Sequence, residues 1–141
     1  MKPKKSVSLV TVAIVCVMGV FWLAGTAVGQ SAPVQAECAA EIEWQIAKEA
    51  QVTQFKCTLG KHGGQPALIF EVGIKNTTAD PLRYRVNIFL EDMDKAAGHL
   101  VPRKGKPPVI KAGGEEKVKI PFIGTDQMSK KILVLVKTIG Q

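Results

Sequence analysis

The sequence predicts an all-β fold, an immunoglobulin-like antiparallel β-sandwich of six to seven strands behind an N-terminal hydrophobic export helix. Three observations carry this. Short runs of alternating apolar and polar residues recur from Val52 to Lys137, each closed by Gly, Pro, Asn or Asp. Only residues 37–50 also fit a helical spacing. Lys2, Lys4 and Lys5 precede residues 6–36, which hold no charge at all.

The leader comes first. Its strongest apolar part runs from Val7 to Leu23, and small residues follow up to Pro33. Val34-Gln35-Ala36 then suits signal peptidase, which predicts a Sec-type signal peptide over 1–36, cleaved after Ala36. The competing reading is an uncleaved inner-membrane anchor over residues 7–29, because 23 uncharged residues can span a bilayer. In both, the basic N-terminus stays cytoplasmic and the domain lies outside, in the periplasm or beyond. Neither Cys16 nor Cys38 follows a small residue, as lipoprotein acylation requires.

Removing the leader leaves one domain, with residues 37–51 as an N-terminal strand or short helix and 52–141 as the sandwich. In residues 37–50, Ile42, Trp44 and Ile46 alternate like a strand, while Ile42, Ile46 and Ala50 also fall on one helical face. Residues 52–59 alternate through Phe55, Cys57 and Leu59, and 60–64 read as a glycine-rich turn. Ala67 to Lys75 places Leu68, Phe70, Val72 and Ile74 on one face. Pro81 blocks continuation. Leu82 to Glu91 alternates again, with Tyr84, Val86, Ile88 and Leu90 inward and Arg83, Arg85 and Asn87 outward. Residues 92–98 read as a turn, and 100–110, with three prolines, as an irregular edge. Val118, Ile120 and Phe122 form the next strand, and 131–137 suit a last buried one.

Two cysteines remain in the exported domain, Cys38 and Cys57. In an oxidising compartment a disulfide is the expectation. The closed loop of 19 positions is worth about 3 kcal/mol in the chain-entropy model. No C-x-x-C is present, which leaves redox chemistry without a motif.

Val72 and Asn76, Ile88-Phe89-Leu90-Glu91-Asp92, Gly98 and Gly113-Gly114-Glu115 follow one another in a recognisable order. Over residues 67–123 the chain resembles the FxLYD domains, small extracytoplasmic bacterial β-sandwiches. Ile88 stands where that pattern has Phe, and Glu91 where it has Tyr. The resemblance implies a sandwich that acts as a binding or accessory module and brings no catalytic residues.

The expected function is therefore a non-catalytic exported module, an accessory or protein-binding domain of the bacterial envelope. The chain carries a formal +7, and the leader accounts for three of those charges. The expected contact surface is Arg83, Arg85, Arg103, Lys104 and Lys106, which would attract an acidic protein partner or an anionic membrane surface. The same lysines and prolines can instead simply keep an edge strand from pairing. No nucleic-acid motif is visible, and no cofactor is expected. The alternative function is periplasmic copper binding or carriage, with Met93, His99 and His62 as soft ligands. Ser129 is the only serine of the exported domain. Glu91, Asp92 and Asp94 read as solvated carboxylates, and Trp44 as a core anchor.

Overall fold

The computed structural model describes residues 36–38 and 40–139. Residues 1–35, and with them the export helix, lie outside the described residues, whereas the expected cleavage site after Ala36 falls within β1. Eight strands form two sheets: β1 (Ala36–Glu37), β2 (Glu41–Ile46), β3 (Ala50–His62), β4 (Gln65–Asn76), β5 (Arg83–Leu90), β6 (Lys95–Val101), β7 (Glu115–Ile123) and β8 (Lys131–Ile139). One sheet has the order β1-β3-β4-β7, with β1 adding only two residues, and the other β2-β8-β5-β6. The described part is a two-layer all-β sandwich, as the alternating runs predict.

The sheets face each other through the alternating residues of β4, β5, β7 and β8. Phe70, Val72, Ile74, Tyr84, Val86, Ile88, Ile120 and Val134 are fully buried. At about 1.5–3 kcal/mol for each large apolar side chain buried, this interface is the main source of stability. Phe55 touches Phe70 with ring centroids 5.4 Å apart, and Phe70 meets Phe122 at the same distance. Tyr84 carries its polar tip inward and donates to the Glu49 carbonyl at 2.8 Å. Burial, reinforced by the nearby Glu49 charge, pushes its phenol up to about 12.

The open question over residues 37–50 resolves as strand. Ile42, Trp44 and Ile46 turn toward the core while Glu41, Glu43 and Gln45 are exposed. The Trp44 ring stands edge-on to Phe55 at 5.0 Å, so the two-residue period wins because it buries three apolar side chains. The arrangement is not purely antiparallel. The N-terminal segment divides between the layers, β1 running parallel to β3 and β2 parallel to β8. Cys38 sits at the crossing and is bridged to Cys57, with Cα atoms 5.3 Å apart. This divided strand is why eight strands replace the expected six to seven.

Other boundaries also move. The expected turn over 60–64 contracts to Gly63-Gly64, and Gly60, Lys61 and His62 extend β3. Both glycines have positive φ, 58° and 82°, which gives the tight hairpin whose twist matches its strands. A bulge between Val52 and Gln54 lets Val52 and Phe55, three positions apart, share the inner face. The expected turn over 92–98 is also corrected: β5 and β6 are joined by 91–94, and 95–101 is an edge strand. Ala96, Ala97 and Gly98 conceal that strand in the sequence, since it is held by backbone pairing to β5. A Cβ at Gly98 would collide with the Asn87 side chain opposite. The run 131–137 is not buried on both faces. Ile132, Val134 and Val136 face the core, and Leu133 and Leu135 lie half-buried on the outer face.

Asn76 ties one end together. It is fully buried, and its Nδ2 donates to the carbonyls of Asp80 at 2.7 Å and Ile110 at 3.0 Å. Its Oδ1 accepts from the Thr78 amide at 2.9 Å and the Thr78 hydroxyl at 2.8 Å.

Candidate functional site: a basic groove between two sheet edges

β6 is an outer strand of one sheet and β7 of the other, and they run side by side along one flank of the sandwich. At one end the flank is tied shut, because Lys95 Nζ donates to the Gly124 carbonyl at 3.1 Å and to Thr125 Oγ1 at 2.8 Å. At the other end it opens into a groove of about 460 Å³. Its walls are Val101, Pro102, Arg103 and Lys104 from the β6 end and Glu116 to Lys119 from β7. Four basic side chains thus meet a single acid. Beside it, Arg85, Gly98, His99, Leu100 and Arg103 frame a smaller hollow of about 180 Å³. Arg103 borders both.

The strands explain who arrives here. Tyr84 and Val86 point into the core, so Arg83 and Arg85 point outward from β5. Val118 and Ile120 point inward from β7, so Lys117 and Lys119 are exposed. His99 lies opposite Val86 in register, so its ring is half-buried. Burial, then the Arg103 charge, holds its imidazole below the usual range, so it is neutral at pH 7. This corner therefore presents fixed cations with a neutral imidazole, and an anion held there would favour the imidazolium.

Of the five expected contact residues, Arg85, Arg103 and Lys104 come together. Arg83 turns to the Pro102 carbonyl at 3.4 Å, and its buried Nε has no hydrogen-bond partner among the described residues. Lys106 is exposed in the 102–109 segment but lines neither hollow. In the sequence, Lys117 and Lys119 alternate with Val118 and Ile120 and mark only the wet face of a strand. Their alternation was visible, but pairing with the distant Arg103 loop depends on how the two sheets pack.

Met93, His99 and His62 are not assembled into one site. Met93 packs against the core from the 91–94 turn, and His62 is exposed at the end of β3. His99 lies four residues beyond the start of β6, about 13 Å of strand. Among the described residues no group of three His, Cys, Asp or Glu could hold a metal ion.

The acidic turn is also committed, not merely solvated. Glu91 pairs with Lys131 at 3.0 Å. Asp92 accepts the Ser129 hydroxyl at 2.5 Å and the Lys130 amide at 2.8 Å. The Ser129 hydroxyl, and secondarily the Lys130 amide, hold the Asp92 carboxyl below its usual range. Ser129 is buried, so this pair fastens the 124–130 connection to the β5–β6 turn.

No known family, curated protein or solved structure matches the chain.

Proposed function

We propose that the chain is an exported, non-catalytic immunoglobulin-like module of the bacterial envelope that binds an acidic segment of a partner protein along the β6–β7 flank. The FxLYD-like order of residues 67–123 belongs to the same reading. The groove carries it: Arg103, Lys104, Lys117 and Lys119 line it with Glu116 as the one acid in its walls, while Glu71 aligns with Lys119 on the neighbouring strand. A groove lined by one sign of charge concentrates oppositely charged ligands and speeds their capture. The disulfide suits the oxidising compartment that export implies. The buried Ser129 hydroxyl, committed to Asp92 and the Lys131 carbonyl, is poorly placed to attack a substrate. The copper alternative lacks a site in which its residues meet.

A labelled polyglutamate peptide is the direct probe. Arg103→Glu with Lys104→Glu should weaken its binding at least tenfold, whereas Lys61→Glu with Lys130→Glu should leave it unchanged. Equal binding by both double variants would sink the groove reading.

A further inference from the structure

The connections between strands divide by charge according to the end of the sandwich they occupy. Connections 47–49, 77–82 and 102–114 gather at one end: Thr77 donates to the Glu49 carbonyl, and Leu82 and Ile110 bond each other. They hold Lys48, Arg103, Lys104, Lys106 and Lys111 against Glu49 and Asp80, a balance of +3. Connections 38–40, 63–64, 91–94 and 124–130 gather at the other: Gly124 donates to the Pro66 carbonyl, and Lys130 to Asp92. They hold Glu91, Asp92, Asp94 and Asp126 against Lys130, a balance of −3. The connections thus form a dipole along the strands, partly offset by Lys61, Lys95 and Lys131 at the acidic end and by Glu115 and Glu116 at the basic end.

The direction of β1 gives that dipole a meaning. β1 runs parallel to β3, and β3 starts at the positive end, so the leading residue Ala36 is aimed back toward that end. Ala36 pairs with Phe55, five positions along from Ala50, about 16 Å of strand. In the sequence, the anchor run 7–29 ends seven chain steps before Ala36, a reach of at most about 25 Å. In the uncleaved-anchor reading, the direction of β1 therefore leads the 7–29 run toward the positive end.

We infer that the positive end rests on an anionic lipid surface, with the acidic end facing away. Each lysine or arginine near such a surface strengthens attachment roughly fivefold, and salt screens the effect within about a Debye length. A tether that already holds the domain near the bilayer makes even this weak attraction effective.

The test uses the full chain in lipid nanodiscs, either neutral phosphatidylcholine or with about 30% phosphatidylglycerol, the anionic lipid supplying the attraction. Hydrogen exchange of the backbone amides in 103–111 should slow at least threefold on the anionic discs. Salt at about 0.5 M, where screening is strong, should restore the neutral-disc rate. Amides 91–94 should not respond. Lys106→Glu with Lys111→Glu should abolish the protection. Equal rates on both discs, or protection at 91–94, would overturn the inference. So would slowing that requires added polyglutamate, which would mark the end as a protein site. Lys106 and Lys111 line no part of the β6–β7 groove, so their variant should still bind polyglutamate. The two readings can therefore fail separately.

Discussion

Replacing Asn76 by Asp exchanges one amide nitrogen for an oxygen and should strongly destabilise the domain. The side chain is fully buried, and its Nδ2 supplies hydrogen bonds to the Asp80 and Ile110 carbonyls at 2.7 and 3.0 Å. Asp places an oxygen against those two carbonyl oxygens. A buried polar group deprived of its partner costs about 1–3 kcal/mol, more where a charge is involved. Two such losses give about 3–5 kcal/mol, a large share of the roughly 5–15 kcal/mol available to a domain. The melting temperature should fall by about 12–20 °C or more, at several degrees per kcal/mol for a domain of this size. Urea unfolding followed by circular dichroism measures the loss. Thr78→Val is the companion variant. It removes the hydroxyl's bonds to Asn76 Oδ1 and to the Asp80 backbone but leaves the 2.9 Å amide bond, so it should cost about 1–2 kcal/mol, less than Asn76→Asp. Protonating the introduced carboxyl restores one donor, so the Asn76→Asp deficit should shrink as pH falls toward about 4. A deficit under about 1 kcal/mol at pH 7, or one that grows on acidification, would refute the view that Asn76 closes this end through its amide donors.

Reduction of the Cys38–Cys57 bridge should lower stability by about 3 kcal/mol, read as a drop in melting temperature with reductant, and Cys57→Ser should match it. His99 should titrate below the usual histidine range, and Arg103→Gln should raise it, both followed by NMR. Its folded pKa lies below the unfolded value, so its neutral form contributes stability above about pH 6.5, and that contribution is lost as pH falls. Asp92 should protonate at unusually low pH, and Ser129→Ala should shift its NMR titration upward. The sign matches: stability tied to ionised Asp92 is present above the unfolded pKa and lost as pH falls through the folded one.

The core was legible where alternation is strong. In β5, Tyr84, Val86, Ile88 and Leu90 were all placed inward, and all four are fully buried. β4 and β7 followed the same rule. β6 was missed because Ala96, Ala97 and Gly98 carry no apolar alternation, and backbone pairing to β5 does most to place it, with only Ala97 and Val101 reaching the core. The parallel pairing of β2 with β8 was hidden for another reason. Local pattern specifies a strand's faces but not its neighbour, and here the neighbours lie at opposite ends of the sequence. The site divides similarly. Arg103 and Lys104 stood out as a basic run beside prolines, whereas Lys117 and Lys119 gained their meaning only when two sheet edges met. Asp92 and Ser129, 37 positions apart, gave no local sign of their bond.

The pairing of β2 with β8 also sets an order of assembly. Glu41 aligns with Lys131 and Ile46 with Val136, so the first long strand to leave the ribosome waits for the last. Until β8 arrives, the second sheet has a gap between β2 and β5, since β8 is bonded to both. Contacts this distant in sequence slow folding. The Cys38–Cys57 link needs only the first strands of the other sheet, so it can secure the early segment while the later half is still being made. Loss of the last nine-residue strand would remove β2's sheet neighbour and uncover the inner face of β5, so the C-terminus behaves as the closing stave of the sandwich.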